Sequence, residues 1–301
     1  MADPARRRTA PTGGGRRPEW AVSVWPTGQT DLAGQLAAGG YLPATAADTG
    51  GLPPAVAAHA IQAYTRPGQT VLDPDCGAGT VLVEAVRAGC HAVGLTVRRW
   101  WPVARGNLTA LKRGGAPADG MVLDPPPAAG RPASLAAVPG GVDLILTTVR
   151  ADHTAPRRGR RPTGPHPDPD PAGASPAVDR LAGLLARCGQ LLRPGGHAVV
   201  IAGPLRHAGR LVDLPNLLGR ASRQAGLVPV DRCAALTSPI PHRQPPAAWR
   251  PGTHLTVYVF HAPPGAEHAG AIALPPPLPL PAPAPRLPAA SHLDAVWGWA
   301  A

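Results

Sequence analysis

The residues with the clearest chemical potential form one short run, Val71-Leu72-Asp73-Pro74-Asp75-Cys76-Gly77-Ala78-Gly79-Thr80. An apolar strand leads into a Gly-x-Gly turn that opens a helix. The glycines let the backbone approach a ligand closely, and the helix N-terminus offers free N–H groups. A dinucleotide fingerprint requires Gly or Ala three positions after Gly79, where this chain has Leu82, so a dehydrogenase reading fails. A second run, Asp124-Pro125-Pro126-Pro127, sets a carboxylate before three prolines. Two arginine groups follow: Arg6, Arg7, Arg8, Arg16 and Arg17 near the start, and Arg150, Arg157, Arg158, Arg160 and Arg161 in mid-chain. Each alone is ordinarily a solvated basic stretch; together they are able to contact several phosphates.

Other chemistries are excluded by residue type and spacing. Cys76, Cys90, Cys188 and Cys233 are far apart and form no C-x-x-C, so they make neither a zinc site nor a disulfide framework. They read as small buried apolar residues in a reducing cytosol. The eleven histidines form no H-E-x-x-H and no ligand pair at helical spacing, so no metal is expected. The net charge is +11, yet Lys112 is the only lysine and there is a single Phe. That imbalance reads as the coding bias of a GC-rich genome, which makes the charge weak evidence for a polyanionic partner. No apolar run reaches the ~18–20 residues of a membrane span, and no apolar stretch follows the Arg-rich start to make a signal peptide. The expected location is cytoplasmic.

These residues need elements to position them, and helix and strand signals alternate along the middle of the chain. Residues 53–64 read as a helix with Pro at its start, 70–73 as a strand, and 80–88 as a helix ended by Gly89. Strands are expected at 91–96, 121–124, 143–147, 197–202, 227–236 and 255–260. Helices are expected at 100–112, 176–192 and 215–225, the second followed by a turn at Arg193-Pro194-Gly195-Gly196. Alternation of this kind implies a mostly parallel sheet covered on both faces. Residues 1–20 read as a disordered basic tail, 21–261 as one α/β domain with an Arg/Pro-rich insert loop at 148–175, and 262–301 as a Pro-rich tail.

The form D-P-x-x-G-x-G-T at Asp73–Thr80 resembles motif I of class I S-adenosylmethionine (SAM) methyltransferases. Its Asp-Pro opening is similar to the DNA methylases that act on adenine N6 or cytosine N4. The runs Tyr41–Thr45, Pro54–Ile61, Tyr64–Gly68, Leu192–His197 and Thr253–Phe260 resemble an actinobacterial DNA-methylase-like family. The likeness covers about residues 20–261. It implies the seven-stranded methyltransferase sheet, Rossmann-like, with helices on both faces and the cofactor at the strands' carboxyl ends. Carried onto this chain, it implies cofactor contacts at Asp73, Pro74, Cys76, Gly77, Gly79, Thr80, Thr96 and Asp124.

The chain departs from that pattern at three places. The upstream cofactor motif, His-Pro-Ala-Lys-Met in such proteins, falls on Asp48-Thr49-Gly50-Gly51-Leu52. The ribose-gripping acid after the second strand is replaced by Thr96. Loss of one charged hydrogen bond costs roughly 1.5–3 kcal/mol, which weakens cofactor binding about 10–150-fold. The catalytic [Ser/Asn/Asp]-Pro-Pro-[Tyr/Phe] after the fourth strand falls on Thr147-Thr148-Val149-Arg150, without either proline or the aromatic. In the motif, polar oxygens accept hydrogen bonds from the base amine and the aromatic stacks on the flipped base. Asp124–Pro127 is the alternative, displaced site for that motif; a Pro-rich loop is the plainer reading.

Among lesser candidates, Glu84 is expected as a helix-surface or capping acid, Trp100 and Trp101 as core packing, and His59 as a packed or half-exposed histidine. The function expected is a SAM-dependent methyltransferase-like protein related to DNA amino-methylases. The alternatives are an inactive module of that fold binding nucleic acid or a partner, and a methyltransferase acting on another acceptor. SAM is expected to bind weakly or not at all. DNA or RNA is expected to bind without sequence preference through Arg150, Arg157, Arg158, Arg160 and Arg161.

Overall fold

The computed structural model describes residues 23–123, 141–149, 182–183, 185–186, 189–207, 210–239 and 253–264. Both tails up to residue 20 and beyond 264, the insert at 150–175, Asp124–Pro127 and the ten clustered arginines lie outside the described residues.

The main sheet is built from β1 (Val24–Trp25), β2 (Thr70–Asp73), β3 (His91–Leu95), β4 (Gly120–Leu123), β5 (Val142–Thr148), β6 (Leu192–Ala202), β9 (Val228–Leu236) and β10 (His254–His261). A separate two-stranded ribbon pairs β7 (Arg206–His207) with β8 (Arg210–Leu211). The order across the main sheet is β1-β9-β10-β6-β5-β2-β3-β4. Pairing is parallel from β6 through β5, β2 and β3 to β4, and β10 runs antiparallel to both β6 and β9. The architecture is therefore the expected mostly parallel α/β sheet with helices on both faces. It has eight strands rather than seven, because the two-residue β1 pairs parallel with the end of β9. From β2 the chain winds outward through β3 to β4, then returns to place β5 on the other side of β2. Strand order thus reverses between β2 and β5, the place where open α/β sheets bind ligands.

One face of the sheet is covered by α2 (Pro54–Tyr64), α3 (Thr80–Arg87) and α4 (Trp101–Arg113). Val56, Ile61, Leu82, Val86 and Leu108 pack there against Val71, Leu144, Leu146 and Ile201. The other face carries helical residues 182–183, 185–186 and 189, and α5 (Leu214–Gln224). There Leu185, Leu214 and Leu218 meet Leu72, Ile145, Val200 and Phe260. Strands β2 and β5 are consequently apolar on both faces, as a parallel sheet covered twice requires. Helix α3 is buried from Thr80 through Val86, so it is enclosed rather than amphipathic. It ends where Gly89, at φ +78°, turns the chain into β3.

The expected helix over 176–192 ends earlier than its pattern suggests. Leu192 already pairs with Val142, and β6 passes through Arg193–Gly196 with a register shift before His197 meets Leu144. Gly195, at φ +86°, provides the bend, and its N–H donates to the Ala262 carbonyl at 2.8 Å. Ala262, assigned by sequence to the tail, returns a bond to the Gly196 carbonyl and is buried. Below the sheet, Asp143 joins three strands: its carboxylate accepts from Thr70 N (2.8 Å), Gln69 Nε2 (3.2 Å) and Arg193 Nη1 (3.2 Å).

Two helical segments upstream escape the sequence pattern. Helix α1 (Leu32–Ala38) buries no residue and is capped by Asp31, whose carboxylate accepts from Gly34 N. A 3-10 turn, Pro43–Ala47, follows and buries only Thr45. No helix among the described residues is long and apolar enough to cross a membrane.

Candidate functional site

Strand β2 delivers Asp73 to the carboxyl edge of the sheet, and Pro74–Gly79 form the turn into α3. Gly77 stands at φ +51° and Gly79 at φ +86°, left-handed values that side chains other than Gly adopt at a cost. Gly79 has a second constraint, since a Cβ there would lie 3.1 Å from Ala104 Cβ of α4. Cys76 N donates to the Leu95 carbonyl at 2.8 Å, joining the turn to the end of β3, and Gly79 N closes it onto the Cys76 carbonyl at 2.8 Å. Asp73, Cys76, Thr80 and Thr96, all expected at the cofactor, are brought together here and are buried.

Three side chains from outside the turn hold it. Thr96 Oγ1 donates to the Gly77 carbonyl at 3.1 Å. Asn107 Nδ2, from α4, donates to the Ala78 carbonyl and to Thr45 Oγ1, both at 2.9 Å, while its Oδ1 accepts from Leu42 N at 2.8 Å. The carboxylate of Asp48 accepts from Ala78 N at 2.7 Å. Thr96 therefore stands where the resemblance puts a ribose-gripping acid, with its hydroxyl committed to the turn. Asp48 stands where the upstream cofactor motif falls, with its carboxylate on the turn's backbone.

Asp48 and Asn107 are the residues that sequence reasoning missed as part of the site. Asp48 was visible only as a mismatch to a motif, and Asn107 had no signal beyond being a polar residue in an amphipathic helix. Glu84 corrects an expectation. It is buried rather than on the helix surface, accepts from Tyr41 Oη, and receives Arg87 Nη1 at 2.5 Å. Arg87 Nη2 also bonds the Gly39 carbonyl. Burial, with the Glu84 carboxylate beside it, pushes the Tyr41 phenol well above its ordinary pKa. Glu84 thus pins the segment before the 3-10 turn to α3. An open cleft of about 430 Å³ lies alongside, lined by Gly39, Tyr41, Val83, Arg87, Asn107 and Leu111 among others; none of Asp73–Thr80 lines it.

The end of β5 is built differently. Thr148 pairs with Ile201, and Val149 N continues the ladder onto the Ile201 carbonyl at 3.1 Å. A proline at 149, as the resembled motif has, donates no such bond. Thr147 is buried, and its Oγ1 has no hydrogen-bond partner among the described residues. Trp100, at the head of α4, likewise has a buried Nε1 without an acceptor among the described residues, whereas Trp101 Nε1 donates to the Val122 carbonyl at 3.3 Å. His59 is half-buried against Trp25, ring centroids 4.5 Å apart, and this burial lowers its pKa. Cys76, Cys90 and Cys233 are buried, as expected, and Cys188 lies outside the described residues. No group of three or more His, Cys, Asp or Glu able to hold a metal occurs among the described residues.

No protein-family profile matches the chain, and no curated protein matches it. Solved structures do. A methyltransferase from Pyrococcus furiosus is 15% identical over 70% of this chain and 84% of its own, with a TM-score of 0.42. The magnesium protoporphyrin IX methyltransferase of Synechocystis, solved with bound SAH, is 13% identical over 78% of this chain and 88% of its own, TM-score 0.43. A precorrin-6y C5,15-methyltransferase from Geobacter metallireducens is 12% identical over 69% and 87%, TM-score 0.42. Similarity at this level assigns no substrate and no residue role to this chain.

Proposed function

We propose that this chain is a SAM-dependent methyltransferase-like protein related to the DNA amino-methylases, with its cofactor at the Gly77–Gly79 turn. The observation that carries this reading is the position and build of the turn. It sits at the carboxyl end of β2, beside the reversal of strand order, with two left-handed glycines opening α3. When bound, SAM supplies an electrophilic methyl group. The residues present fit it in part. Trp100 Nε1, just beyond β3, is a buried donor without an acceptor among the described residues, and adenosine carries several acceptors. Thr96 offers the ribose no charge, and its hydroxyl already serves Gly77. Weak binding follows.

A second reading is favoured by Val149. Its N–H is used in the sheet ladder at the position where the amino-methylases place their second proline. The strand runs on instead of breaking into a loop that holds a base. On this reading the chain is an inactive module of the methyltransferase fold that binds nucleic acid through its two arginine groups. Calorimetric titration with SAM tests the first claim; no heat at millimolar SAM overturns it. Tritiated SAM with genomic DNA tests the second; robust label transfer that survives Thr148→Ala and is lost in Asp124→Ala assigns catalysis to Asp124–Pro127. Fluorescence anisotropy on a labelled duplex tests the arginines. Contact by all ten gives a log-log salt slope approaching about −9, and fewer contacts give less.

A further inference from the structure

Asp48 does something in this structure that neither the resemblance nor the proposed function assigns. Its carboxylate sits 2.7 Å from the N–H of Ala78, the middle residue of the Gly-x-Gly turn. That amide is one of the groups that make such turns welcome anions, together with the N-terminus of the helix that follows. Here a carboxylate from the chain itself takes the position. The residue is held from both sides: Asp48 N donates to the Thr45 carbonyl, and Gly51 N donates to the Asp48 carbonyl. A Cβ at Gly51 would lie 3.2 Å from Asp48 Oδ2, so glycine at 51 leaves room for the carboxylate. Thr45 is in turn bonded to Asn107, which holds the Ala78 carbonyl, so both backbone polar groups of Ala78 are fixed by one connected unit. Helix α3 has no acidic residue in its own first turn, and its N-cap, Gly79, has no side chain to offer.

We propose that Asp48 is a specificity-determining residue: its carboxylate turns an anion-welcoming glycine turn into one that rejects phosphate and favours a positively charged ligand. This rests on the reading of the turn as the SAM site and deepens it. SAM carries a sulfonium cation, whereas its demethylated product SAH is a neutral thioether. A fixed negative charge at the turn favours the first over the second, and it opposes a pyrophosphate there. The same residue thus explains in physical terms why the turn does not serve a dinucleotide, independently of Leu82.

The test uses the full chain and two variants. Asp48→Asn keeps an oxygen able to accept from Ala78 N and removes the charge; Asp48→Ala removes both. Circular dichroism establishes that each is folded, and calorimetry measures SAM, SAH and inorganic pyrophosphate separately. In the unmodified chain SAM is expected to bind about fivefold tighter than SAH, the size of one helix-terminus charge interaction. Asp48→Asn is expected to erase most of that preference while leaving SAH affinity nearly unchanged. Asp48→Ala is expected to bind pyrophosphate about tenfold tighter than the unmodified chain does. An unchanged SAM-to-SAH ratio in Asp48→Asn, or pyrophosphate affinity equal in Asp48→Ala and the unmodified chain, overturns the proposal. If none of the three proteins binds SAM or SAH, the SAM reading itself has failed, and the pyrophosphate comparison alone judges Asp48.

Discussion

The ends of β2 and β5 are neighbours on the same carboxyl edge of the sheet, and they are finished in opposite ways. After β2 the chain makes a turn whose peptides are held by Thr96, Asn107 and Asp48, drawn from three separate segments. After β5 the strand continues: Val149 adds one more ladder bond, and the hydroxyl of Thr147 is buried without a partner among the described residues. A polar group that is buried and bonded marks a position whose geometry is fixed, whereas one buried without a bond costs stability. The contrast therefore separates a turn whose backbone is held by three side chains from a strand end that prolongs its ladder and buries an unbonded hydroxyl.

The largest effect is expected where the turn packs on the sheet. A Cβ on Gly94 of β3 would lie 2.5 Å from Leu82 Cδ1 and 2.7 Å from Cys76 Sγ, both buried. Gly94→Val should cost about 3 kcal/mol, or roughly 6–12 °C in thermal midpoint. A midpoint within 2–3 °C of the unmodified chain's, an allowance of roughly 1 kcal/mol, would show that the turn is looser than its bonds suggest. Asn107→Ala comes next. It leaves the Ala78 carbonyl, the Thr45 hydroxyl and Leu42 N without their partner, for about 2–3 kcal/mol. Denaturant unfolding reads this directly, and a loss under about 0.5 kcal/mol would mean water replaces all three bonds.

How much of this was legible in the sequence depends on the range of the interaction. Strand β2 is legible to the residue, because the apolar Val71-Leu72 pair runs straight into the Asp73-Pro74 break. The expected bounds of helices α2, α3, α4 and α5 lie within one residue of those in the structure. Strand β1 and helix α1 were not read. Two residues carry no period, and α1 buries nothing; it is held by Gln35, whose amide bonds the Thr27 and Thr30 carbonyls and accepts from Ala55 N. Within the site, the glycine turn is a local pattern and was visible. Asp48 and Asn107 act on residue 78 across 30 and 29 positions, and a bond over that distance leaves no periodic trace.

A smaller effect is expected at the other strand end. Val149→Pro restores the second proline of the resembled motif and deletes the N–H that bonds Ile201. The expected cost is about 1–2 kcal/mol, seen as a lower denaturant midpoint with unchanged slope. An unchanged midpoint would show that the ladder does not need this bond and that the strand end is free to form a loop.

The smallest effect is also the most discriminating, because one substitution made at both ends should change sign. Threonine and valine have nearly the same shape, so Thr→Val exchanges a hydroxyl for a methyl group with little change in packing. At Thr96 the exchange deletes a buried bond to the Gly77 carbonyl and should destabilise by about 1 kcal/mol. At Thr147 there is no bond to lose, and the buried hydroxyl contributes only its desolvation cost, so Thr147→Val should stabilise by about 1 kcal/mol. Paired thermal unfolding of the two variants measures the difference. Destabilisation at both positions would show that Thr147 has a partner in solution, and the contrast between the strand ends would then have to rest on Val149 alone. Repeating the pair with saturating SAM adds a second reading: if Thr147→Val is stabilising in the free protein but lowers the shift produced by SAM, the unpaired hydroxyl belongs to the ligand, and the end of β5 takes part in the same site as the turn.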